Sequence, residues 1–107
     1  MWKLWLDDDW SNIHTPGRHP PPGYIGAGST VKAIDLIEKN GLPVAMDLDH
    51  DLSGYDNAMI FLHWLYDKYP RCISGIEVTV HSMNPVGKAN IIFFVDSWKR
   101  FLEQESS

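Results

Sequence analysis

The stretch Val44-Ala45-Met46-Asp47-Leu48-Asp49-His50-Asp51-Leu52 decides how this chain is read. A short apolar run passes directly into acids and a histidine, and Ser53-Gly54 supplies a turn behind it; the pattern is that of a buried strand whose polar residues gather at its carboxyl end. Two other stretches repeat it. Trp2-Lys3-Leu4-Trp5-Leu6 alternates and runs into Asp7-Asp8-Asp9, and Ile76-Glu77-Val78-Thr79-Val80 runs into His81-Ser82-Met83-Asn84-Pro85.

Between these strands the sequence predicts helices. Ser29 or Thr30 caps a helix through Asn40, with Val31, Ile34 and Ile37 on one face and Gly41 as its stop. Tyr55 to Tyr69 is helical in length, and its apolar residues cover most of the circumference, so it should pack on more than one side. A last helix begins near Gly87 or Lys88 and carries Ile91, Phe94, Val95, Trp98 and Leu102 at helical spacing, with Glu103 to Ser107 as a frayed tail. From Pro16 to Gly28, eight of thirteen residues are Pro or Gly. That density excludes a regular helix and implies an ordered surface loop, with Tyr24-Ile25-Gly26-Ala27 as a short strand inside it.

Strands alternating with helices of about a dozen residues imply a parallel sheet with helices on its faces, because parallel strands need crossovers. In such sheets the binding crevice lies at the carboxyl ends of the strands. The placement of polar residues at three strand ends points to the same location.

With 107 residues the chain is expected to be one domain, residues 1–107, with one core. At 44% hydrophobic it is too apolar for a disordered tail. The lone Cys72 excludes an internal disulfide framework and a cysteine-built zinc site. No signal pattern and no run of membrane-spanning length is visible, so the expected setting is the cytoplasm, away from membranes. A net charge of -5 argues against broad binding to DNA or RNA, but leaves room for a small site that takes a nucleotide terminus. The acidity is uneven: residues 1–54 hold eight acids, and six of them fall in the clusters Asp7-Asp8-Asp9 and Asp47, Asp49, Asp51.

Carboxylates from neighbouring strands repel unless a cation or proton sits between them. Mg²⁺, or Mn²⁺, is the simplest resolution, since such ions take oxygen ligands and commonly use one or two carboxylates plus a phosphate. Asp8 and Asp49 are the leading ligands, Asp7 is next, and Asp51 completes the set. Acids also end strands and cap turns for local reasons, but two clusters at two strand ends favour a shared site. A histidine beside carboxylates tends to keep its proton, which suits a general acid in phosphoester cleavage. His81 is the better candidate and His50 the second, because Ser82 and Asn84 beside His81 can donate to phosphate oxygens. Lys88 adds a cation near a helix N-terminus. Trp2, Trp5, Trp64 and Trp98 read as packing residues, whereas Trp10 lies near the acidic cluster and is a candidate for stacking on a base.

Leu4-Trp5-Leu6-Asp7-Asp8, Leu48-Asp49-His50-Asp51-Leu52, Gly54-Tyr55-Asp56 and Val80-His81-Ser82-Met83-Asn84-Pro85-Val86-Gly87 together resemble the cyclic-phosphate processing receiver domain family. The resemblance implies a receiver-like, flavodoxin-like α/β fold of three layers. Its short parallel sheet would have about four strands, and the chain is expected to be shortened at its C-terminus. It also implies a role on 2′,3′-cyclic phosphate ends of RNA or a related nucleotide, in repair or conflict systems. Three departures stand out. The family's arginine after the acidic pair is replaced by Asp9-Trp10, so Arg18 is the candidate substitute. A receiver's lysine after a fifth strand is lacking, which argues against phospho-signalling through Asp49. Asp47 adds a third acid on the face of Asp49. The rival reading is a non-catalytic interaction module or homodimer, with Ile92 and Phe93 on the outer side of the last helix as its surface.

Overall fold

A computed structural model of the chain describes residues 1–12, 14 and 19–106, the last of these by its backbone alone. Four strands, β1 (Lys3–Leu6), β2 (Tyr24–Ala27), β3 (Ala45–Leu48) and β4 (Glu77–Val80), form one sheet in the order β2-β1-β3-β4, with every pair parallel. Three helices follow the strands: α1 (Thr30–Asn40), α2 (Ala58–Lys68) and α3 (Pro85–Ser106), with a short 3-10 turn at Cys72–Gly75. The receiver-like α/β architecture expected from the sequence is therefore present.

Period-two alternation sorts the strand residues between two unlike faces. Leu4, Leu6, Met46 and Leu48 are fully buried and share one core with Ala33 and Ile37 of α1, Phe61, Leu62 and Leu65 of α2, and Ile91, Val95 and Trp98 of α3. The helices pack in sequence on that face, α1 against α2 and α2 against α3. Trp5 and Asp47 point to the opposite face. There the covering layer includes the segment after β1, whose Trp10 ring lies where a Gly26 Cβ would stand, with Trp10 Cδ2 only 2.3 Å from that position. Trp10 is thus packed against the edge strand.

Local signals explain the helix limits. Ser29 caps α1 by accepting from Lys32 N at 3.1 Å, and Gly41 ends it at a φ of 81°, where a side chain would be strained. The buried face of α1 is Thr30, Ala33 and Ile37, with Ile34 packed part-buried on the core; of the expected stripe Val31, Ile34 and Ile37, only Val31 is exposed. The helix is rotated because Thr30 is pinned at its start: its N and Oγ1 donate to the Asp56 carboxylate at 2.7 and 2.6 Å. The second helix begins at Ala58, three residues later than the pattern suggested, since Asn57 Oδ1 accepts from Met59 N and Ile60 N. It packs on both sides, as its all-round apolar sequence requires. The last helix starts at Pro85 and stays helical through Ser106, so residues 103–106 of the expected frayed tail are instead its final turn, and Ser107 lies outside the described residues. Proline suits that first position because its missing N–H would be unpaired there.

Cys72 is half-buried, and burial pushes its thiol up to about 11. Since the thiolate is the reactive species, iodoacetamide should modify native Cys72 roughly a hundredfold more slowly than an ordinary thiol near pH 8, and at the ordinary rate after denaturation. Mass spectrometry of a time course checks this, and equal rates in the two states would contradict the packing. No helix among the described residues is long and apolar enough to cross a membrane.

Candidate functional site

Strand register assembles the site. Leu6, Leu48 and Val80 are partners across β1, β3 and β4, so the next residue of each strand, Asp7, Asp49 and His81, falls in one row. The ladder continues through that row: Asp7 N donates to Ala27 O at 3.0 Å, Asp49 N to Leu6 O at 2.9 Å, and His81 N to Leu48 O at 3.1 Å. These three residues therefore sit on backbone as rigid as the sheet itself. One ligand atom from each lies within 4.8 Å of the others.

Asp7 is fully buried and Asp49 is 7% exposed. Asp7 Oδ1 accepts from Asp9 N at 2.8 Å, and Asp7 Oδ2 accepts from His81 Nε2 at 2.9 Å. The other ring nitrogen, His81 Nδ1, donates to Asp47 Oδ1 at 2.6 Å. With a carboxylate at each nitrogen, the ring is suited to the doubly protonated form. Burial works against that charge, but the hydrogen bonds to Asp47 and Asp7, aided by their negative charges, outweigh it and raise the His81 pKa above its ordinary value. The ring also stacks on Trp5, with centroids 4.0 Å apart and planes 5° from parallel. An aromatic face favours a cation held over it.

Asp47 is the member of this cluster that the sequence left undecided. Its position two residues before Asp49 placed it on the correct face, but nothing in the sequence named His81 as its partner. Parallel pairing of β3 with β4 does so.

The remaining candidates form a second tier. Asp8 is exposed and accepts from Ser53 Oγ at 3.0 Å. His50 lies against Gly87 and donates from Nδ1 to Asp51 Oδ1 at 3.0 Å, while Asn84 Nδ2 donates to Asp51 Oδ2 at 3.1 Å. The His50 bond first and the Asn84 bond second hold the Asp51 carboxyl below its ordinary pKa. Asn84 Oδ1 also accepts from Gly87 N at 3.1 Å, so this side chain caps α3 and ties it to Asp51. Ser82 Oγ accepts from Asn84 N, which fixes the turn after β4. Lys88 is exposed in the first turn of α3. Arg18 lies outside the described residues. Ile92 and Phe93 are exposed on α3, as their helical phase suggested.

A cleft of about 530 Å³ opens over this arrangement, lined by Asp8, Asp49, Asp51, Leu52, His81, Met83 and Asn84. It brings together residues from three strand ends, where open parallel sheets place their ligand sites. His50 is not among its described lining residues and acts on the cleft through Asp51.

A family model described as the cyclic-phosphate processing receiver domain matches residues 2–97. The chain belongs to that family. The match takes in all four strands, every candidate site residue and most of α3, so this cyclic-phosphate processing receiver domain keeps its whole candidate site within the matched region. No curated protein and no solved structure matches the chain.

Proposed function

We propose that the domain binds and hydrolyses a cyclic phosphate, a 2′,3′-cyclic phosphate end of a nucleotide or RNA being the substrate class. The observation that carries this reading is the Asp7, Asp49 and His81 row, of which Asp49 and His81 line the cleft while Asp7 is buried beside them. Two buried carboxylates beside a histidine held between acids offer both a cation site and a proton donor.

The donor set fits a divalent ion. Asp7 and Asp49 provide hard oxygen atoms suited to Mg²⁺ or Mn²⁺, with Asp8 on the same cleft. When bound, such an ion supplies charge neutralisation and polarisation of the phosphoryl group. The chain's own residues supply the rest. Water attacks phosphorus and gives up a proton to solvent, the bond from phosphorus to the 2′ or 3′ oxygen breaks, and that oxygen takes a proton from His81 Nε2, which turns from Asp7 Oδ2 to deliver it and is reprotonated from solvent. Asp47 at Nδ1 keeps the ring in place and stabilises its charged form. In this reading Asn84, which lines the cleft, and the nearby Ser82 hydroxyl steady phosphate oxygens, and Asp51 with His50 fixes Asn84.

The test is incubation with an RNA ending in a 2′,3′-cyclic phosphate, with Mg²⁺, with Mn²⁺ and with a chelator. The parent should open the ring in the presence of metal and lose that activity with the chelator. Asp49→Ala should reduce turnover by roughly a thousandfold or more, the scale expected when an electrostatic and metal-holding group is removed. Neither turnover nor binding under any of these conditions would sink the reading.

A further inference from the structure

The side of α3 turned away from the core carries an aromatic row that the fold leaves uncovered. Ile91, Val95, Trp98 and Leu102 pack inward, whereas Phe93, Ser97 and Phe101 follow one another outward at four-residue spacing. Phe93 is 74% exposed, Phe101 is 48% exposed, and Ser97 between them is exposed as well. Residues four apart form a continuous ridge on a helix, inclined to its axis.

This ridge suits contact with a copy of itself. Two such ridges interdigitate when helices cross at about 50°, the commonest class of helix packing. A two-fold axis at Ser97 puts the smallest side chain of the ridge at the crossing point, where the backbones come closest. The two phenylalanines stand four residues to either side of it, so Phe93 of each copy meets Phe101 of the other. Ile92, also exposed, lies about 100° around the helix from Phe93 and falls outside this contact.

The charges beside the ridge agree with that axis. Asp96 and Arg100 are exposed on one flank, and neither side chain has an ion pair or hydrogen bond among the described residues. Around a two-fold axis between antiparallel helices, each flank meets the same flank of the other copy. Asp96 therefore faces Arg100 of the second copy, and Arg100 faces its Asp96, two opposite-charge contacts from one pair of residues. An unrelated partner would have to supply matching rings and charges separately, whereas a second copy has both by symmetry.

We propose that the domain forms a two-fold dimer through α3, with the two helices crossing at Ser97. The contact does not depend on the cyclic-phosphate reading, since Ser97 stands about 20 Å along the helix from Asn84.

Sedimentation equilibrium of the purified domain, from about 1 to 500 μM, should show a reversible monomer–dimer equilibrium. Phe93→Asp should raise the dissociation constant by about a hundredfold or more. Asp96→Arg or Arg100→Asp alone sets like charges together on both sides of the axis and should weaken the dimer about tenfold. The two reversals combined restore opposite pairs and should bring it back to within about threefold of the parent. Under mild oxidation Ser97→Cys should link the two copies, because helices packed at a small residue bring their Cα atoms within the span of a disulfide; Asn90→Cys, about 10 Å along each helix from the axis, should not. The parent, with Cys72 alone, is the control for that reaction, and far-ultraviolet circular dichroism checks that each variant folds. A parent that stays monomeric at the highest concentration would overturn the proposal. So would a dimer that Phe93→Asp leaves intact, or one that the combined reversal fails to restore. Capture of a different protein by α3 while the domain itself remains monomeric would overturn it too.

Discussion

Replacing His81 by alanine should abolish cyclic-phosphate turnover and also lower the stability of the metal-free protein by about 2–3 kcal/mol at neutral pH. The second effect follows from burial. Asp7 is inaccessible to solvent, and His81 Nε2 donates to it at 2.9 Å. Removing one partner of a buried ion pair costs about 3–5 kcal/mol in general. The smaller figure here reflects the partial exposure of the ring, 17%, and the Asp9 N–H that still donates to Asp7. The stabilisation should depend on pH in a definite direction. The folded His81 pKa is raised, so its contribution is fully present below the unfolded value of about 6.5 and is lost as pH rises through the folded value.

Urea denaturation of parent and His81→Ala at pH 6 and at pH 9, without divalent cations, measures this. The gap between them should narrow at the higher pH. A gap that widens would mean that the ring is held neutral, and the charged bridge between Asp7 and Asp47 would then be wrong. Asp47→Asn in the His81→Ala background should cost much less than Asp47→Asn alone, because both changes act on one hydrogen-bonded unit.

Gly87→Ala should destabilise the domain by about 1–3 kcal/mol, against the usual preference of helices for alanine. A Cβ at Gly87 would lie 2.4 Å from His50 Cγ, 2.6 Å from Nδ1 and 2.8 Å from His50 Cβ. These atoms include the root of the side chain, so rotating the ring cannot relieve the clash fully. Either His50 leaves Asp51, or the first turn of α3 moves away from the site. Both outcomes disturb Asn84, which caps that turn and donates to Asp51. Turnover should therefore fall by roughly tenfold or more, since small displacements of positioning groups carry such costs. The double variant His50→Ala with Gly87→Ala should recover only part of the lost stability, because the Cβ at position 50 still lies 2.8 Å from the new methyl group. A single variant more stable than the parent would show that α3 and His50 do not meet as described.

Much of this was legible from local pattern. Runs of apolar residues ending in acids or in histidine marked β1, β3 and β4: β1 and β3 are largely buried and reach solvent at their ends, while the edge strand β4 is half-exposed and turns only Val78 and Val80 toward the core. Ser29, Gly41 and the spacing from Ile91 to Leu102 marked helix limits and faces for equally local reasons. Misjudgements arose where a distant side chain intervened. Asp56 pins Thr30 and turns Val31 outward, and Asn57 delays the start of α2.

By itself, then, the sequence determined the class of fold, the strand ends that carry chemistry and the residue types available there, since each depends on neighbours within a few positions. Only the tertiary structure decided which of those residues act together. Register across separate strands put Asp7, Asp49 and His81 in one row, joined Asp47 to His81 across 34 positions and stacked that ring on Trp5. It also turned His50 toward Gly87 and Asp51 and left Met83 at the rim. The physical reason is that hydrogen bonding and charge pairing act over a few ångströms in space, and the sheet brings residues that close together from positions far apart in the chain.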